Sequence, residues 1–183
     1  QFYAKHDYSD YGKALIFASG DLVQGTALKF VNFVRDQKIG RARIYFDSEG
    51  GNLMEGIYLG DAIRKIGYET SIGTEKNKLE GICASACTYA FAGGTARYIY
   101  YDKQRLGLHQ FYNNDPQNRA DMGVTQSVSS IVAKHFYDMG INEQAFIWAS
   151  SVKKDQMRWL TKAEAISLNF ANNGKNTTTA EIK

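Results

Sequence analysis

The chain has 183 residues, a length that suits one domain burying about 70% of the surface its unfolded form would expose. Hydrophobic residues make up 44% and charged residues 22%, ordinary globular usage that excludes a disordered chain. The formal net charge is only +3, no Lys/Arg run interleaves with aromatics, and no apolar stretch approaches the roughly 20 residues that cross a bilayer, so neither a nucleic-acid partner nor a membrane span is expected. Residues 13–18 (Lys-Ala-Leu-Ile-Phe-Ala) form a short apolar run closed by Ser19-Gly20 and read as a buried strand. Ala27, Phe30, Val31 and Val34 then recur at helical spacing. A second strand is predicted over 43–46, followed by a sharp turn at Gly50-Gly51. Leu53, Met54, Ile57, Ala62, Ile63 and Ile66 make the stripe of an amphipathic helix.

Residues 69–72 read as a third strand and 74–78 as a polar insertion. Residues 81–86 form a small-residue turn leading into a short apolar helix that ends at Gly93-Gly94. Strands are predicted over 97–101 and 106–111. A long helix follows, with Val124, Val128, Ile131, Val132, Phe136 and Met139 on one face, and another helix around 143–150. Strand and helix alternate, which favours an α/β fold with a largely parallel sheet, because parallel strands need helical crossovers. The expected unit is a single domain over 1–183, with its core at about 13–171 and a polar tail over 172–183 rich in Asn and Thr. The chain begins at Gln1, and a signal peptide removed ahead of it is the expectation.

In such a sheet reactive groups gather at the carboxyl ends of strands. Three segments end there: Asp47-Ser48-Glu49-Gly50-Gly51-Asn52, whose glycine amides can point at an anion; Gly81-Ile82-Cys83-Ala84-Ser85-Ala86-Cys87, with a hydroxyl at a helix start; and Gly107-Leu108-His109-Gln110-Phe111, with an imidazole at a strand end. Each has an ordinary reading alone: a tight turn, an N-cap serine, a satisfied histidine. Together they offer donor, nucleophile and base. His6, in a polar stretch, and His135, beside the polar face of the long helix, are read as structural.

In order, the segments resemble the Clp protease proteolytic subunit. Asp47-Ser48-Glu49-Gly50-Gly51 is similar to that family's Ser-Pro-Gly-Gly turn, with Glu49 in place of Pro. Cys83-Ala84-Ser85-Ala86-Cys87 is similar to its Ala-Ala-Ser-Met-Ala nucleophile turn, and the strand carrying His109 to its Met-Ile-His-Gln-Pro strand. Trp159-Leu160-Thr161-Lys162-Ala163-Glu164-Ala165 resembles its Phe-Met-Ser-Ala-Glu-Glu-Ala segment. The likeness runs from about Leu15 to Ala171, and the Cys-x-Ser-Ala-Cys pattern resembles the Clp-like proteins predicted to be periplasmic. It implies a ClpP/crotonase-like fold with a long helix after the His-bearing strand. It also implies a serine hydrolase, most simply a peptidase, with Ser85 as nucleophile, His109 as base, and the N–H groups of Gly51 and Ala86 as oxyanion hole. A peptide or protein is the implied substrate, a homo-oligomer the implied assembly, and the periplasm or the exterior the implied location. No cofactor is expected.

The family's acid falls on Met157, so the third residue stays open. Asp155, two residues earlier, leads; Asp102, Asp115 and Asn114 follow, and a Ser–His dyad oriented by a backbone carbonyl or water is the remaining option. Cys83 and Cys87 flank the nucleophile. With Cys83 in the turn before the helix they are expected to form a disulfide, which implies an oxidising compartment; a pair of buried thiols is the alternative. Zinc is not expected, since two cysteines occur without His or acidic partners at ligand spacing. Competing functions are a non-catalytic Clp-like domain that binds a peptide by strand addition, which Met157 favours, and acyl-CoA chemistry of the crotonase type, which the Ser85/His109 pair disfavours.

Overall fold

The computed structural model describes residues 1–6, 12–111, 122–153 and 155–175. Five strands make one sheet in the order β1-β2-β3-β4-β6: β1 Phe2–His6, β2 Ala14–Ser19, β3 Ala42–Asp47, β4 Glu69–Ile72 and β6 Arg97–Tyr98. All of these pairs are parallel except β1 with β2, where Phe2 faces Ala18 and His6 faces Ala14. A second sheet, in the order β5-β7-β8, joins β5 Gly81–Ala84 in parallel to β7 Gln104–Leu108, which β8 Arg158–Leu160 borders in the antiparallel sense. The expected parallel α/β sheet is present, split into two.

Helix α1 (Thr26–Asp36) connects β2 to β3, and α2 (Leu53–Ile66) connects β3 to β4. The α2 boundaries follow from local chemistry. The Asn52 side chain accepts from the Glu55 N–H at the start, and Gly67 ends the helix in the left-handed conformation. Glu55 also reaches sideways, its carboxylate accepting from the N–H groups of Gly25 and Ala27 and so satisfying the open amino end of α1. Ile16, Ile44, Phe46 and Ile72 of the sheet share one apolar core with Phe30, Val34, Ile57 and Ile63 of these helices. Leu15, Phe17 and Tyr45 are buried on the other face of the sheet. Strands buried on both faces read as continuous apolar runs, as residues 13–18 do.

Helix α3 (Ala86–Ala92) follows β5, and all seven of its residues are buried. It lies tight against α2, because a Cβ on Gly56 would collide with the Ala86 carbonyl. Helices α4 (Met122–Asp138), α5 (Gln144–Ser151) and α6 (Lys162–Ser167) complete the chain, α6 opening on a capping box of Thr161 and Glu164.

Four expectations are corrected here. Residues 81–84 are a strand and not part of a turn, because their backbone pairs with 104–107. The strand expected over 97–101 is only two residues long, and the next runs over Gln104–Leu108, leaving His109 just past its end. His135 is 3% exposed, with Nδ1 3.1 Å from Asp61 and Nε2 3.0 Å from the Tyr89 carbonyl, so the face it occupies packs inward. Asn172 and Asn173 are not tail: both amides donate to the Arg97 carbonyl, and the Asn172 side chain accepts from the Arg97 N–H. Residues 176–183 lie outside the described residues.

Candidate functional site

The three sequence segments converge because β5 lies between the end of β3 and the end of β7. On one side the Ser48 N–H donates to the Ile82 carbonyl at 2.7 Å, the Ala84 N–H donates to the Ser48 carbonyl at 3.0 Å, and the Ile82 N–H donates to the Asp47 carboxylate. On the other, Ala84 pairs with Gly107, and the Ser85 N–H donates to the Gly107 carbonyl at 3.0 Å. Ser85 and the residues after Gly107 therefore leave their strands side by side.

Ser85 sits at φ 54°, ψ −124°, a conformation L-residues seldom adopt, between β5 and α3. It is half-buried, and its hydroxyl does not cap α3. The ordinary N-cap reading is thereby removed. Thr88 does the local work instead, its N–H and Oγ1 both donating to the Ser85 carbonyl. Among the described residues the Ser85 hydroxyl makes no hydrogen bond, including none to His109.

The Gly50-Gly51 turn presses against this corner. A Cβ on Gly50 would stand 2.7 Å from the Ser85 Cβ, 2.8 Å from the Ala84 carbonyl and 3.0 Å from the Ala86 nitrogen. Both glycines have positive φ, 113° and 129°. Leu22 brackets the turn, its N–H donating to the Gly50 carbonyl and its carbonyl accepting from the Asn52 N–H, each at 2.7 Å. Among the described residues the N–H groups of Gly51 and Ala86 have no hydrogen-bond partner, and the close approach at Gly50 sets these two donors near the same serine.

His109 is partly buried, with Nδ1 2.7 Å from the Gln110 carbonyl. A carbonyl only accepts, so Nδ1 carries the proton and the lone pair of a neutral ring lies on Nε2, the tautomer a general base needs. Asp155 is exposed in the turn before β8 and makes no hydrogen bond or ion pair among the described residues; the same holds for Asp102. Asn114 and Asp115 lie outside the described residues. Leu108 pairs with Arg158 and Gly107 with Trp159, and the ladder ends there, with His109 and Met157 each one residue beyond it. The Met157 side chain packs on Gly107, its sulfur 2.7 Å from where a Cβ would be.

Cys83 and Cys87 form a disulfide, with Cα atoms 5.2 Å apart and neither residue exposed. It closes the corner that holds Ser85. At the far end of α3, two guanidiniums take the last carbonyls of the helix, where its dipole is negative. Arg64 donates to the carbonyls of Ala92, Gly93 and Gly94, while Arg97 donates to those of Gly94, Phe170 and Asn169. Burial first, and the neighbouring Arg64 charge second, push Arg97 down to about 9; burial also lowers Arg64. Among the described residues no three His, Cys, Asp or Glu side chains cluster as metal ligands, and no helix is long and apolar enough to cross a membrane.

Sequence reading passes over Ser48, and it leaves open a backbone carbonyl orienting His109 without saying which residue supplies it. Ser48 left a signal, since a serine two residues before a glycine is a frequent turn former. A backbone carbonyl leaves none.

No family model and no curated protein matches the chain. Among solved structures it is similar to a serine-to-alanine variant of the 1510-N membrane-bound stomatin-specific protease, at 18% identity and a TM-score of 0.61, with 85% of this chain and 75% of that one covered. A lysine-to-alanine variant of the same protease in complex with a substrate peptide matches with the same identity and TM-score, over 85% of this chain and 71% of that one. The chain thus has the expected ClpP/crotonase-like fold.

Proposed function

We propose that this chain is a serine hydrolase, most simply a peptidase, in which Ser85 is the nucleophile and His109 the base. One observation carries the reading: a serine held in strained backbone at a buried helix start, beside two N–H groups that have no partner among the described residues. In the proposed reaction the Ser85 Oγ adds to a peptide carbonyl carbon while His109 Nε2 takes the hydroxyl proton. The oxyanion accepts from the Gly51 and Ala86 N–H groups. The C–N bond then breaks, the proton passes from Nε2 to the leaving amine, and water hydrolyses the acyl-serine by the same route. The Gln110 carbonyl holds the Nδ1–H throughout, the part a carboxylate plays in a triad. The Ser85–His109 hydrogen bond would form on substrate binding, as such bonds commonly tighten only then.

The fold likeness to a protease solved with a substrate peptide supports a peptide as substrate. The disulfide supports an oxidising compartment, periplasmic or external. Helix α4, with Val124, Ile131 and Tyr137 exposed, is the element we assign to self-association. A second reading, a peptide-binding domain without catalysis, is favoured by Met157, which stands where the resemblance implies an acid. A fluorophosphonate probe separates the two. The hydrolase reading expects the wild type to be labelled, labelling to vanish in Ser85→Ala and to fall at least tenfold in His109→Ala; equal labelling of all three proteins, or none, overturns it.

A further inference from the structure

Gly50 has no side chain to hold it, so each peptide plane beside it needs an outside anchor. The plane between Gly50 and Gly51 is fixed at its oxygen by the Leu22 N–H, at 2.7 Å. Because the peptide is planar and trans, anchoring that oxygen aims the Gly51 N–H the opposite way. The plane between Glu49 and Gly50 is fixed at its nitrogen, where the Gly50 N–H donates to the Ser48 Oγ at 3.1 Å in a buried bond. Ser48 is itself immobile. It is 6% exposed, and its backbone N–H and C=O bond to Ile82 and Ala84 on either side of Cys83, two residues before Ser85.

We propose that Ser48 is a positioning residue for the reaction. Its main chain is fastened to the strand that leads into Ser85, and its hydroxyl fastens the glycine turn to that same point, so the distance between nucleophile and Gly51 donor is set through one side chain. This inference rests on the hydrolase reading given above. Without the hydroxyl the Gly50 N–H loses its acceptor and the turn is left with the Leu22 anchor alone. The donor then wanders by a fraction of the length that matters to an oxyanion hole, where misplacement by about 1 Å can cost 10²-fold.

The test compares Ser48→Ala, Ser48→Val and Ser48→Thr. Valine and threonine have one shape and differ in the acceptor, so their contrast isolates the hydroxyl, and alanine covers the case in which the added methyl group does not fit. Three quantities are measured: the limiting rate and half-saturation of fluorophosphonate labelling at Ser85, amide exchange at Gly50 and Gly51, and the melting temperature. The limiting rate is expected to fall roughly 10- to 100-fold in the alanine and valine variants with half-saturation within twofold of wild type, while threonine stays within about threefold. Exchange at Gly50 should quicken in alanine and valine and not in threonine. A merely structural serine would instead lower the melting temperature of valine and threonine alike and leave their labelling rates matched. Wild-type labelling together with an unchanged rate in Ser48→Ala overturns this inference alone. A wild type that takes no label overturns the hydrolase reading and this inference with it.

Discussion

Gly50 lies against Ser85 so closely that a Cβ on the glycine would stand 2.7 Å from the Cβ of the serine. Nearby chain cannot give way, because the other atoms in contact are the Ala84 carbonyl and the Ala86 nitrogen, both main chain. Gly50→Ala should therefore displace the turn, a strain raised further by its φ of 113°. The expected outcome is loss of at least 100-fold in labelling rate at Ser85 together with a lower melting temperature. A Gly50→Ala protein that labels at the wild-type rate would show that the turn takes no part in the site.

Asp155 is exposed and makes no bond to His109, whose Nδ1 is taken by the Gln110 carbonyl. Loss of a triad acid costs about 10⁴-fold elsewhere. Asp155→Ala is expected to change turnover by less than about threefold. A drop of a hundredfold or more, measured with any ester or peptide substrate the protein cleaves, would mean that the turn before β8 closes onto the histidine during the reaction.

The disulfide links residues only four apart in sequence, so the loop it closes removes about 2 kcal/mol of chain entropy from the unfolded state in the loop-closure account. Its position at the Ser85 corner matters more. Replacing both cysteines by alanine should lower labelling at least tenfold while the unfolding free energy falls by no more than about 3 kcal/mol. Both sulfur-bearing residues are fully buried, so native protein should resist mild reductant until it unfolds. Thiol counting by alkylation, with and without urea, checks this.

Arg97 is 2% exposed and bonds only to main-chain carbonyls through its guanidinium, at the C-terminal end of α3 and at Asn169 and Phe170. Arg97→Leu keeps the bulk and orphans those acceptors. A loss of at least about 3 kcal/mol in urea unfolding is expected, from several buried carbonyls left without donors. Arg97→Lys should recover only part, since one ammonium cannot reach every carbonyl of the fork. A change below 1 kcal/mol in the leucine variant would contradict this account.

Glu164 sits below its ordinary value of 4.5, chiefly because the Thr161 N–H donates to it; burial opposes the shift, and the Thr161 hydroxyl and Arg158 assist it. The folded chain thus holds this proton less tightly than the unfolded chain does. The resulting stabilisation is present above the ordinary carboxylate range and is lost as pH falls through the lower, folded value. Glu164→Gln should lower the melting temperature by roughly 2–4 °C at pH 7, the loss of about one capping interaction. The gap between variant and wild type should narrow steadily below pH 4. A gap independent of pH would assign the effect to packing.

Much of this fold could be read directly from the chain, and the misses share a cause. Residues 69–72 are a strand as expected, and α2 covers the stripe from Leu53 to Ile66, because both carry their period and their stop signals locally. Strands β1 and β8 were not foreseen. Each is short, and each exists through a partner distant in sequence: Leu160 meets Leu106, and Phe2 meets Ala18. Gly81-Ile82-Cys83-Ala84 resembles a turn by composition and becomes a strand only because Asp47, Ser48 and Gln104 to Gly107 line its two sides. His135 reads as lying beside the polar face of its helix because nothing in the sequence reveals that Asp61 and Tyr89 come to meet it. In the site, side-chain chemistry was legible and main-chain chemistry was not. The carbonyl of Gln110 and the Leu22 clamp have no residue type to announce them.

The backbone at Ser85 sets stability against chemistry. Glycine would adopt φ 54°, ψ −124° with little strain, whereas a side chain there costs the fold about 1–3 kcal/mol, offset by roughly 0.5–1 kcal/mol because glycine leaves the unfolded chain freer. Ser85→Gly should accordingly melt no lower than wild type, and higher than Ser85→Ala, which keeps the strain and loses the hydroxyl. Under mutation with no demand on that hydroxyl, the position would drift towards glycine. A chain that keeps serine at this corner accepts a standing loss of folding free energy, and selection for the hydroxyl would account for it.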